Sequence, residues 1–139
     1  MIVLLDLNYT LVENSNVKVS PFARQIEQEK YRQWILDAVN PHYVVLMTAR
    51  PQKYREQTLA RIQSVTGWQP QEAYFNDVNL PPPQAKKSIL ERFVLRNHGQ
   101  NGGSYLAIES NPRTAAMYSK FGIHSVREDD PLCKKLLTK

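Results

Sequence analysis

The chain predicts an α/β fold, a three-layer sandwich around a central, mostly parallel sheet of about five strands. Two observations carry this. Five short apolar runs, each bounded by turn or cap signals, occur at Ile2–Leu5, Tyr43–Met47, Ala73–Phe75, Tyr105–Ile108 and His124–Arg127. Between them lie segments with apolar residues at helical spacing, so strand and helix alternate from end to end. The first, second and fourth runs are nearly continuous in apolar residues, as in strands covered on both faces of a parallel sheet.

The elements follow in order. After the first strand, Ser20 and Pro21 offer an N-cap and a first-turn proline. Phe22, Ile26, Trp34, Ile35 and Ala38 then mark one helical face as far as the Asn40-Pro41 stop. Pro51 opens a second helix, with Tyr54, Thr58, Ile62 and Val65 on one side and Gly67 past its end. A third begins after Pro81-Pro82-Pro83, carries Ile89, Leu90, Phe93 and Val94 inward, and stops before the turn-rich loop 97–103. Asn111-Pro112 caps a fourth, which ends at Gly122. A short fifth helix is expected within 130–139.

With 139 residues, 42% hydrophobic and 22% charged, the chain fits one globular domain, residues 1–139. No apolar run approaches the ~20 residues that span a bilayer, and Met1 leads straight into a strand rather than a signal peptide. One cysteine, Cys133, rules out an internal disulfide, so a cytoplasmic location is expected. His42, His98 and His124 are scattered and none has zinc-ligand spacing to Cys133. The net charge of +5 suits a protein that handles anions, although Lys and Arg are spread along the chain as on an ordinary solvated surface.

In open α/β sheets the ligand site lies beyond the carboxyl ends of the strands. Asp6, Asn8 and Thr10 follow the first strand, Thr48-Ala49-Arg50 the second, and Glu109-Ser110-Asn111 the fourth, while Lys86 and Lys87 lie near the start of the third helix. Carboxylates, hydroxyls and a lysine at one edge form a plausible phosphoryl-transfer site. These stretches, "DLNYT", "LMTARP", "AKKSIL" and "AIESNPRTA", resemble in order the four motifs of the haloacid dehalogenase superfamily. Its pattern is an Asp-x-Asp-x-Thr loop, a Thr or Ser, a Lys opening a helix, and an acidic cluster.

The resemblance implies that Asp6 attacks phosphorus and forms an aspartyl-phosphate, splitting one hard hydrolysis into two easier steps. Thr48 and Lys86, with backbone N–H groups after Asp6, would then face the charge of the phosphoryl group. Lys86 is preferred to Lys87 because Ile89 and Leu90 follow it at three- and four-residue spacing. Mg²⁺ is the implied cofactor, held by Asp6, the backbone carbonyl of Asn8 and Glu109. The family usually has Asp at the Glu109 position, often with a second Asp after it. Glu-Ser here implies weak metal binding, and Ser110 and Asn111 could equally cap the fourth helix.

The family's hydrolases place an Asp two residues after the nucleophile, as general acid and base. Asn8 does not ionise, and loss of such a group costs ~10²–10⁴ in rate. Three accounts stay open: a change introduced to arrest turnover, a natural residue in an enzyme whose leaving group needs no acid, or an inactive protein that binds a phosphorylated ligand or a protein partner. The softened fourth motif leans towards the second and third.

Neither the stretch from Val12 to Pro41 nor that from Thr48 to Lys86 is long enough for the cap domain that many family members insert. By resemblance, capless members take large substrates whose phosphate enters an open site. The segment "TARPQKYREQTLARI" is also similar to one in the phosphatase domain of bacteriophage-type polynucleotide kinases, which implies a nucleotide or polynucleotide substrate. Tyr9, Thr10, Arg50 and Lys53 are the expected substrate contacts, with Arg55 nearby and Tyr9 placed to stack. Trp34 and Trp68 read as core residues.

Overall fold

In the computed structural model, which describes residues 1–138, five parallel strands form one sheet. They are β1 (Ile2–Leu5), β2 (Tyr43–Pro51), β3 (Glu72–Asn76), β4 (Tyr105–Ile108) and β5 (His124–Val126), in the spatial order β3-β2-β1-β4-β5. The chain steps outward from β1 to β3, then returns to lay β4 on the other side of β1. That reversal opens a crevice beyond the carboxyl ends of β1 and β4. β1 is central, with Leu4 opposite Val45 on one side and Ala107 on the other.

Seven helices cover the sheet: α1 (Phe22–Ile26), α2 (Gln33–Val39), α3 (Arg55–Thr66), α4 (Pro82–Ile89), α5 (Leu95–His98), α6 (Pro112–Lys120) and α7 (Pro131–Leu137). Alternate strand residues point to opposite faces, and the two cores follow that alternation. Val3, Leu5, Val44 and Leu46 pack with Ile35 and Leu36 of α2, Ile62 of α3 and Leu137 of α7. Leu4, Val45, Met47 and Ala107 pack with Ile89 of α4 and with Met117 and Tyr118 of α6. Trp34 and Trp68 lie partly buried against the first cluster. Gly67 closes α3 in the left-handed conformation (φ 74°), its N–H bonded to Gln63 O at 2.9 Å.

Several expected boundaries move. The helix expected from Phe22 to Ala38 is two, because residues 27–32 fold back beside the loop after β1. There Glu13 N bonds Lys30 O, Arg32 N bonds Leu11 O, and Val12 pairs with Tyr31. β2 runs four residues beyond its apolar run, to Pro51. A short turn at Gln52–Tyr54 therefore precedes α3, and Val65, expected on its inner face, is 47% exposed. The third expected helix is α4 and α5 joined by a wide turn at Leu90–Val94, and it reaches His98. Among the described residues no helix is long and apolar enough to cross a membrane.

Candidate active site

β1 delivers Asp6 to the crevice, its N–H bonded to Ile108 O of β4 at 3.0 Å. The chain then wraps through Leu7–Leu11 in one wide turn closed by Val12 N to Leu7 O at 2.9 Å. Tyr9 sits in that turn at φ 63°, a conformation that costs a residue with a Cβ about 1–2 kcal/mol. It is held there from three sides. Its N–H donates to Ser15 Oγ (2.8 Å), its carbonyl accepts from Arg32 Nη1 (3.0 Å), and its hydroxyl accepts from Lys18 Nζ (2.7 Å).

The four motif positions meet. Lys86 Nζ donates to Asp6 Oδ1 at 2.7 Å and to Glu109 Oε1 at 2.6 Å. Asp6 Oδ2 accepts from Thr10 Oγ1 (2.7 Å) and Ser110 Oγ (3.0 Å), and Glu109 Oε2 from the N–H of Asn111 (3.1 Å). Both carboxylates are thus spoken for on each oxygen. Thr48 Oγ1 accepts from Arg50 N (3.0 Å), which leaves its hydroxyl hydrogen to donate elsewhere. Asp6, Asn8, Tyr9, Thr48, Lys86 and Glu109 line one cleft of about 180 Å³.

Burial governs the electrostatics. It penalises the Lys86 ammonium, but the carboxylates of Asp6 and Glu109 outweigh that penalty and hold its pKa above the ordinary lysine value. Burial pushes the Glu109 carboxyl up against the opposing pull of Lys86, with Asp6 adding to the rise. Burial and the Asp6 carboxylate therefore hold Glu109 nearer to accepting a proton than an exposed glutamate, against the pull of Lys86.

Three of the expected substrate contacts lie off the cleft wall. Arg50 is buried at 2% exposure and is not in the cleft wall. Its Nη1 donates to Glu29 Oε1 (3.1 Å) and Thr58 Oγ1 (2.9 Å), and its Nη2 to Glu29 Oε2 (2.5 Å) and Asn8 Oδ1 (2.7 Å). β2 continues past Thr48 with an irregular register to β3 between Met47 and Pro51, and the Arg50 side chain turns inward to Glu29 and Thr58. Lys53 stands on the exposed turn before α3, 5.2 Å from the Tyr54 ring centre, and also lies off the cleft. Arg55 donates to the backbone carbonyl of Ala73. Thr10 is buried against the Asp6 carboxylate, so it orients Asp6 instead of meeting solvent.

Asn8 faces the cleft with a fixed orientation. Arg50 can only donate, so the Asn8 amide oxygen turns to it and the NH₂ group is the free end. Arg50 is anchored by Glu29, which belongs to no motif or apolar period, and by Thr58, whose place on the inner side of the expected second helix gave no sign of an arginine partner. The sequence places Ser110 at the metal position or in a cap of the fourth helix. Its hydroxyl instead bonds Asp6, and Asn111 caps α6 through Arg113 N at 2.9 Å.

No protein-family model matches the chain, and no curated protein does. Among solved structures it is similar to a chain in the structure of the Pnkp1/Rnl/Hen1 RNA repair complex, with a TM-score of 0.68 and 19% identity. The match covers 93% of this chain and 43% of that one, so this chain spans less than half of its structural neighbour. At that identity the likeness is one of fold.

Proposed function

We propose that the protein is a phosphatase of the haloacid dehalogenase type that removes the terminal phosphate of a nucleotide or polynucleotide through an aspartyl-phosphate on Asp6. The observation that carries this reading is the Asp6 carboxylate, held by Lys86, Thr10 and Ser110 at the floor of a cleft. At about 180 Å³ the cleft is below the ~300–1,000 Å³ of a small-molecule pocket. It suits a phosphoryl group while the rest of a large substrate stays outside. The net charge of +5 and the fold shared with a chain of an RNA repair complex favour a polynucleotide.

In the first step an Asp6 oxygen bonds to phosphorus as the bond to the leaving oxygen breaks, giving aspartyl-phosphate and an alkoxide. Water then cleaves the aspartyl-phosphate to phosphate and restores Asp6. Lys86 and the Thr48 hydroxyl face the phosphoryl oxygens, and the Asn8 NH₂ donates a hydrogen bond towards the leaving oxygen. Asn8 has no proton to give up, so the alkoxide takes its proton from water. Asp6 and Glu109 carboxylates with the Asn8 carbonyl form an all-oxygen set suited to Mg²⁺, and Ser110 Oγ lies between Asp6 Oδ2 (3.0 Å) and Asn8 O (3.5 Å). Bound there, Mg²⁺ would neutralise phosphoryl charge. Only two side-chain carboxylates contribute, and Lys86 already bridges them, so its affinity should be low.

The test is hydrolysis of p-nitrophenyl phosphate with millimolar Mg²⁺. Turnover that disappears in Asp6→Ala supports the reading. Asn8→Asp should then raise hydrolysis of an alkyl phosphate by ~10²-fold, and of p-nitrophenyl phosphate much less, since that leaving group hardly needs a proton. The rival reading, a protein that binds phosphate without turnover, is favoured by one feature: Arg50 holds the Asn8 oxygen in a buried network. No hydrolysis by either form, with phosphate binding retained, would establish that rival.

A further inference from the structure

We propose that the groove between α4 and α6 binds the backbone of a single-stranded polynucleotide whose terminal phosphate lies in the Asp6 cleft. This rests on the reading of that cleft as a phosphate site and extends it to the rest of the substrate.

The groove, about 410 Å³, is lined by Lys87, Arg113 and Lys120 around Ala116, Met117 and Phe121, with no carboxylate in its wall. All three cations are exposed, and none is in an ion pair among the described residues. Exposed cations elsewhere, such as Lys30, Lys53 and Arg96, are likewise in no ion pair among the described residues, so what sets the groove apart is that three of them line one wall that holds no carboxylate. Unneutralised cations without a local acid are a polyanion's footprint.

The groove adjoins the cleft residue by residue. Pro82 and Lys86 line the cleft and Pro83 and Lys87 the groove, while Asn111 lines the first and Arg113 the second. At seven residues' distance along α6, Lys120 lies about 10 Å beyond Arg113. The charge thus runs along a line leading away from Asp6, which a single phosphate could not use and a strand can. The cavity on the cleft's other side mixes Arg32 and Arg127 with Glu13 and Glu128, so it offers a polyanion no net attraction. A duplex is the poorer fit. The groove lies between packed helices whose axes are ~8–10 Å apart, a width for one extended backbone rather than two paired strands.

The test measures binding of a labelled eight-nucleotide single strand with a terminal phosphate, by fluorescence anisotropy across a salt series. Combined Lys87→Glu, Arg113→Glu and Lys120→Glu should weaken binding at least ~10-fold at low salt. It should also reduce the slope of log affinity against log salt by about 2, from ~0.7 per lost contact. Hydrolysis of p-nitrophenyl phosphate should not change. Should the triple variant fold poorly, Lys87→Ala and Lys120→Ala singly should each weaken binding ~2–3-fold. No binding by the wild type, equal binding by the variants, or equal competition by polyglutamate of matched charge overturns the proposal. Salt-dependent binding lost in the variants, in a protein that hydrolyses nothing, upholds the groove and sinks the catalytic reading instead.

Discussion

Tyr9 sits at φ 63° beside the Asp6 cleft, 48% exposed, where glycine would be at ease. Strain held at the rim of a cleft by Ser15, Arg32 and Lys18 is best explained by what the ring does there. On the proposed function, a fixed exposed aromatic offers a stacking face for the base next to the terminal phosphate, worth ~1–3 kcal/mol per base. Structure and function then respond in opposite directions to one change. Tyr9→Gly relieves the left-handed backbone, so the melting temperature should stay level or rise, while KM for a nucleotide substrate rises ~10-fold and that for p-nitrophenyl phosphate does not. Tyr9→Ala should lose the same affinity and be the less stable of the two, because it keeps a Cβ at positive φ. A Tyr9→Gly protein that melts well below the wild type would mean that the ring serves the fold.

The elements that position the site were legible in proportion to how local their signals are. β1 and β4 coincide with their apolar runs residue for residue, because full burial writes itself into every position of a short central strand. β2 was read four residues short, since Thr48, Ala49, Arg50 and Pro51 carry no apolar pattern even though the backbone stays extended. That error in length became an error in role: Arg50 was placed on the substrate when its guanidinium faces inward to Glu29. The partner sits 21 residues away, in the segment between α1 and α2 that helical periodicity had joined. Asp6, Thr48, Lys86 and Glu109 were found by motif, and the Glu29–Arg50 pair that supports Asn8 was not. Both members are buried, at 2% and 1% side-chain exposure, so removing one leaves the other's charge without a partner. Glu29→Ala should therefore cost about 3–5 kcal/mol in denaturant unfolding. Adding Arg50→Met to that variant should recover part of the loss, since the orphaned charge goes with it. Strictly additive losses would show that the two residues act separately.

At the scale of the molecule, both cores lean on the same sheet, so the face opposite the proposed groove should not open on its own. α7 seals that face. Cys133 is fully buried in the cluster with Leu137, and His42 Nε2 lies 2.6 Å from Leu137 O, tying the end of α7 to the turn before β2. Burial, with Glu128 and Asp130 nearby, pushes the thiol up to about 11 from its ordinary 9. Well below pH 9 the thiol is protonated in both folded and unfolded chains and contributes no pH dependence. Between about 9 and 11 the unfolded chain releases the proton while the folded one keeps it, so stability should fall as pH rises through that window. At pH 8 the folded thiol is both protonated and shielded, and a disulfide reagent should not modify it. Trp34 and Trp68 pack against the same cluster and report its opening by fluorescence. If the molecule unfolds as one unit, Cys133 labelling and the tryptophan transition should share a urea midpoint. Labelling that precedes the fluorescence change would instead place α7 in a separately opening segment, less stable than the sheet it covers.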